Sequence, residues 1–186
     1  MNATDMGPSG DPLRGAAGYA PPGERPPLRH YAVLMAVFNS LFGLALLLAR
    51  RSGRELPERV GAGDIATIGV ASHKLSRLIA KDKVTSPLRA PFTRFEGASG
   101  HAEVAEEVRE HGGVKHAVGE LLTCPFCLAQ WVGTAFVFGY VTAPKATRLA
   151  ALTMTMVAGS DVLQFAYDAI QNGGLAPQTE GVDPPD

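Results

Sequence analysis

The sequence predicts an all-α integral membrane protein with three or four transmembrane helices, a cytoplasmic loop and disordered termini. Three observations carry this reading. An apolar run over residues 31–49 is closed by arginines, a second apolar region covers 128–170, and both ends of the chain are polar and rich in proline. The overall hydrophobic fraction of 46% is ordinary for a globular protein, so the signal lies in its uneven distribution. Seventeen basic against eighteen acidic residues leave a formal net charge of -1, which gives no electrostatic footprint for nucleic acid.

Residues 1–28 are mostly Gly, Pro, Ala and Ser, too poor in bulky apolar side chains to offset the entropy of ordering, and are expected to be disordered. Residues 31–49 follow as the clearest span: nineteen residues at about 1.5 Å each nearly match a hydrocarbon core about 30 Å thick. A cleaved signal peptide would be shorter, nearer the N-terminus and followed by small residues. Here Arg50-Arg51-Ser52-Gly53-Arg54 follows, a stop at the headgroups.

Residues 62–80 begin apolar and then carry His73, Lys74 and Arg77. A charge near the bilayer centre costs about 2.5–3.5 kcal/mol on insertion scales, so this helix spans only if those groups face protein or snorkel; otherwise it lies in the interface. Residues 81–123 form the long polar loop. Pro87 and Pro91 stop helix there, residues 102–111 read as a short charged helix with Val104 and Val108 on one face, and 114–122 as another leading into the cysteines. Residues 125–143 form the next transmembrane helix, with Trp131 and Tyr140 near its ends as an aromatic belt. Pro144 to Arg148 reads as a tight turn, 148–167 returns as the last span, and 172–186 is a second disordered tail. Small residues four apart, Ala135, Gly139 and Ala143 and then Ala151, Thr155 and Gly159, suit close packing of these two spans in lipid.

Basic residues set the expected sidedness. With four spans the N-terminus is inside, together with Lys81, Lys83, Arg89, Arg94, Arg109 and Lys115; with three, the N-terminus is outside and every basic residue from Arg50 to Lys115 is inside, the count that positive-inside bias favours more strongly. Both arrangements put residues 81–127 in the cytoplasm, in a multi-pass protein of the cell membrane. A CxxC on that side is kept reduced by the thiol pool, which makes a permanent disulfide the least expected state of Cys124 and Cys127.

These are the only two cysteines, and they are the candidate catalytic residues. Pro125 suits the first position of a helix, which would put Cys124 at the N-cap, where unpaired N–H groups and the dipole stabilise a thiolate. No βαβ pattern surrounds the pair, so a thioredoxin fold is not indicated. Zinc is the one cofactor left open. It needs two further ligands, for which His111 and His116 are candidates with Glu120 nearby, or a homo-oligomer in which two chains pool four thiolates. Packing of the helix start remains the plainest use of the pair.

Asp161 is the intramembrane acid of the last span; Lys74, Arg77 or His73 would pair with it if 62–80 packs against that helix. Lys81, Lys83, Arg89 and Arg94, with Phe92 and Phe95, suit contact with anionic lipid or simple topology anchoring in the bilayer. His101, His111 and His116 read as solvated loop histidines.

Gly119-Glu120-Leu121-Leu122-Thr123-Cys124-Pro125-Phe126-Cys127-Leu128 with Trp131 resembles a motif of an uncharacterised bacterial membrane family, domain-of-unknown-function family 1360. Lys74-Leu75-Ser76-Arg77-Leu78 and the stretch from Asp82 to Phe92 resemble its other signature. The resemblance covers roughly residues 60–170 and leaves the first span as an N-terminal addition. It implies a location rather than an activity. The expectation is therefore a structural or accessory membrane protein acting through partners, more readily non-enzymatic than enzymatic. The alternative is a membrane-bound thiol-disulfide oxidoreductase or zinc protein using the CPFC pair, with Cys124 as nucleophile and Cys127 as resolving thiol.

Overall fold

A computed structural model describes residues 28–53, 57, 59–109 and 113–171. The tails expected at 1–28 (apart from Leu28) and 172–186 lie outside the described residues, as does His111. The elements run α1 (Leu28–Arg51), α2 (Ala62–Lys81), a single 3-10 turn (Lys83–Thr85), α3 (Ser86–Arg89), β1 (Thr93–Gly100), β2 (Glu103–Val108), α4 (Gly113–Thr123), α5 (Pro125–Thr142) and α6 (Pro144–Gln171). By length and composition, α1 and α6 can cross a membrane, and α4 with α5 makes a third candidate if that pair, bent by 83°, counts as one span.

The order of contacts along the helices fixes their directions. Asp64 meets Arg148, Thr67 meets Thr155 and Lys74 meets Asp161, so α2 and α6 run parallel. Tyr140 reaches Asp64 and Gly133 faces Ser72, so α5 runs against α2. On α1, Tyr31 meets Glu120, Phe38 meets Trp131 and Phe42 meets Phe138, so α1 runs with α5. The result is an up-down-up-down bundle. The start of α1, the end of α2, the hairpin, α4, the cysteines and the end of α6 share one end.

α2 is the centre of this bundle rather than a helix set apart from it. Its inward face is made of Ala71, Ser72, Ser76 and Ala80, all buried and all small, which lets α5 and α6 come close on either side. Ala71, Val132, Phe136 and Ala151 form the core, with Ile68, Leu75, Ile79 and Met154 packed on it. The outer faces are apolar as well: Met35 and Leu48 on α1 and Met156 and Leu163 on α6 are exposed. That pattern suits a helix bundle surrounded by hydrocarbon.

Two expectations are corrected. The short charged helix over 102–111 is instead the strand β2, paired antiparallel with β1 from Thr93↔Val108 to Gly100↔Glu103. The molecule is therefore mostly helical with a small two-stranded sheet, not all-α. Val104 and Val108 share a face either way, because a spacing of four fits a helix turn and an even count along a strand equally well. What decided it is Glu106 between them, which points inward to a buried arginine. The turn expected at Pro144 to Arg148 contracts to Ala143, because Pro144 opens α6; its fixed φ suits a first helical position, where no N–H is needed.

Candidate functional site

The stretch from Asp82 to Phe92 is organised by Arg89, whose side chain is wholly buried. Its Nε and Nη2 donate to the two oxygens of Glu106 at 2.7 and 3.0 Å. Nη1 donates to the Ile79 carbonyl at 2.6 Å and to Thr85 Oγ1 at 2.7 Å, and Nη2 also reaches the Asp82 carbonyl and Ser86 Oγ. A buried guanidinium is tolerated only when its donors are used in this way. Ile79 and Asp82 supply carbonyls from the last turn of α2 and its cap, which the helix itself leaves free. Thr93 completes the node by donating to the Arg89 carbonyl and to Glu106. Arg89 is thus not available for lipid contact, contrary to the expectation from its basic neighbours.

Burial acts to raise the pKa of the Glu106 carboxyl, but the hydrogen bonds and charge of Arg89, with hydrogen bonds from Thr93 and Ser86, outweigh it; the net shift is downward. Lys83 N donates to the Ala102 carbonyl at 2.9 Å, and Asp82 bridges Glu103, so the hairpin turn is stitched to the end of α2.

Gly119, the first residue of the cysteine motif, faces this node. A Cβ there would lie 2.7 Å from Val108 Cγ1 and 3.3 Å from the Phe92 carbonyl oxygen, so only glycine lets α4 seat on the hairpin base. Thr123 closes α4 by donating to the Gly119 carbonyl. The chain then bends into α5 at Cys124, which is the N-cap; its sulfur accepts the Cys127 N–H at 3.2 Å. Pro125 occupies the first turn, as the sequence indicated.

One helical turn places the two sulfurs on the same side, and Cys124 and Cys127 are bonded as a disulfide, their Cα atoms 5.3 Å apart. This differs from the reduced pair expected of a cytoplasmic loop. Phe126 between them is 89% exposed.

Among the described residues no group of three His, Cys, Asp or Glu side chains converges to hold a metal. His116 lies 3.5 Å from Glu120, whose other oxygen accepts from Tyr31 at 2.6 Å, so this acid joins α4 to α1.

Of the basic residues weighed as partners for Asp161, Lys74 is the one that reaches it, at 2.7 Å. Arg77 instead makes a two-point pair with Glu103 of the hairpin, and His73 is exposed. His101 pairs with Asp168 at 3.1 Å and stacks edge-on against Phe165. At the far end of the bundle Asp64 accepts from Arg148 at 2.7 and 3.0 Å and from Tyr140 at 2.6 Å. Trp131 and Tyr140, expected as a belt, thus have protein partners.

Glu106, Glu103 and the Asp64 cluster were not apparent as site residues in the sequence. A usable signal existed for Glu106, an acid in strand period between two valines.

Residues 67–167 match a family described as "Protein of unknown function (DUF1360)", and the chain belongs to that family. No curated protein and no solved structure matches it.

Proposed function

We propose that the chain is a multi-pass membrane protein with four spans, α2 among them, acting as a structural or accessory component through partners. The observation that carries this reading is the Arg89 node. Its hydrogen bonds engage Thr85, Ser86, Thr93 and Glu106, so these side chains order a polar cap at one end of an apolar bundle. A cap whose charges satisfy one another is suited to presenting a fixed surface. Val84, Leu88, Phe95 and Phe126 are exposed on it and offer apolar contact to a partner. The basic-residue count supports a cytoplasmic cap with either three or four spans, and four spans would put the start of α1 on that same side.

Photo-crosslinkers at Phe95 and Phe126 in native membranes test the reading. A discrete protein adduct at either position is expected, and adducts to lipid alone at both would overturn it. Carbonate extraction and thiol labelling after permeant reduction test the membrane placement. Labelling of intact cells by an impermeant reagent would overturn the cytoplasmic side.

One observation favours a second reading, a membrane-bound thiol-disulfide oxidoreductase. Cys124 sits at a helix N-terminus, where its sulfur meets the Cys127 N–H beside an exposed Phe126, and the Cys124–Cys127 disulfide is compatible with that reading. In that reaction a substrate dithiol would be oxidised to its disulfide, passing two electrons and two protons to the cysteine pair, with Cys124 the nucleophile in the reverse direction. A reduced pair that titrates near about 8.5 and exchanges no faster than a free dithiol would exclude it. Zinc binding would use the reduced pair with two further ligands, from His111 and His116 or from the cysteines of a second copy, and metal analysis of the reduced protein reports it directly.

A further inference from the structure

A cleft of about 1420 Å³ opens between the C-terminal half of α2, the hairpin turn and the C-terminal half of α6. This is larger than the roughly 300–1,000 Å³ of ordinary small-molecule pockets. Its lining changes along the parallel seam of α2 and α6. Val70, Val157 and Ala158 line it toward the middle of the bundle, the Lys74–Asp161 pair comes next, and the Arg77–Glu103 and His101–Asp168 pairs close it at the hairpin. An apolar trough that ends in a charged mouth, at the end of membrane-length helices, matches the shape of a lipid rather than of a soluble metabolite.

The mouth also has a sign. Asp82, Glu103, Asp161 and Asp168 line it with Lys74 and Arg77 as the permanent cations and His73 and His101 beside them, so carboxylates are in excess when the histidines are neutral. Asp161 has Lys74, Glu103 has Arg77, and Asp168 has His101 as its hydrogen-bonding neighbour. Asp82 is the remaining one: among the described residues its carboxyl makes no hydrogen bond. Burial first, then repulsion by Glu103 and Asp161, raise its pKa against the pull of Lys74 and Arg89. An incoming cation able to donate hydrogen bonds would satisfy it.

We propose that this cleft binds a phospholipid with a primary-ammonium headgroup, of the phosphatidylethanolamine class. The ammonium donates to Asp82 among the carboxylates, the phosphate meets Arg77 and His101, and an acyl chain lies in the α2–α6 seam. A trimethylammonium headgroup carries the charge but has no N–H to donate, and an anionic headgroup meets an excess of carboxylates. The assignment rests on the bundle being embedded in the bilayer, which carbonate extraction reports separately from headgroup preference.

The test uses the full chain in detergent, with retained lipid followed by native mass spectrometry against phosphatidylethanolamine, phosphatidylcholine and phosphatidylglycerol of matched chains. Phosphatidylethanolamine is expected to bind roughly tenfold more tightly than phosphatidylcholine, the scale of one charge-assisted hydrogen bond. Asp82→Asn should remove that preference at unchanged melting temperature, and Asp82→Glu should keep it. Soluble glycerophosphoethanolamine should compete only weakly, because it lacks the chain that fills the seam. Equal binding of the first two lipids, strongest binding of phosphatidylglycerol, full competition by the soluble headgroup, or a preference that survives Asp82→Asn would each overturn the proposal.

Discussion

Arg89 and Arg148 both grip a carboxylate with two nitrogens, and they do so in opposite surroundings. The Arg89 side chain is 0% exposed and that of Glu106 6%, whereas the Arg148 side chain is 55% exposed and that of Asp64 21%. Arg89 has a hydrogen-bond partner at every nitrogen, drawn from α2, its cap, the 3-10 turn, α3 and β2. Arg148 adds only Tyr140 to its acid. The two pairs have similar lengths, so distance does not distinguish them. What differs is the cost of losing a partner: a buried charge left alone is expensive, while an exposed one returns to water.

Removing Arg89 is the largest break available. Arg89→Met should cost about 3–5 kcal/mol by stranding Glu106 and the carbonyls of α2, read as a collapse of the thermal midpoint in detergent. Arg89→Met with Glu106→Leu should recover much of that loss, because no charge is then left buried.

The same pair has an acid signature. The Glu106 carboxyl is held below its ordinary value, so its stabilisation is fully present above the unfolded carboxylate range near about 4.3 and is lost as pH falls through the folded value. Melting curves from neutral to acid pH should therefore fall more steeply for the native chain than for Glu106→Gln. Parallel curves would show that the pair does not titrate with folding.

Packing against the node gives the next effect. Gly119→Leu should cost about 1–3 kcal/mol through overpacking on Val108 and Phe92. Gly43→Ala, where a Cβ meets nothing within 4 Å, should be neutral or mildly stabilising in the same assay.

At the seam, Lys74→Met leaves Asp161 without its cation, but that acid is 38% exposed and can turn toward the charged mouth of the cleft, so the loss should be smaller than that of Arg89→Met. Smallest of all, Arg148→Lys should leave the melting temperature almost unchanged. A loss comparable to Arg89→Met would show that the exposed end of the bundle is as dry as the buried one.

The helices were legible because their signals are local. A nineteen-residue apolar run closed by Arg50 and Arg51 needs no tertiary contact to be read, and α1 extends it only to Leu28–Arg51. Pro125 likewise gave both the start of α5 and the N-cap position of Cys124. The hairpin was not legible. Gly97 and Gly100 weaken the strand pattern of β1, two bulges interrupt its register, and the valines of β2 keep a spacing that also fits a helix. Arg89 sat among Lys81, Lys83 and Arg94, and nothing in that run distinguishes the one that is buried.

By itself, then, the sequence determined that this is a chain of long apolar helices with a polar insertion and a helix-capping cysteine pair. Each of these follows from composition within a few turns of chain. Only the tertiary structure decided which charge is buried and which acid each cation meets. That depends on where residues far apart in sequence meet: Arg89 with Glu106, Lys74 with Asp161, Arg77 with Glu103. The energy of a charge is set by its surroundings, and surroundings are assembled by the fold.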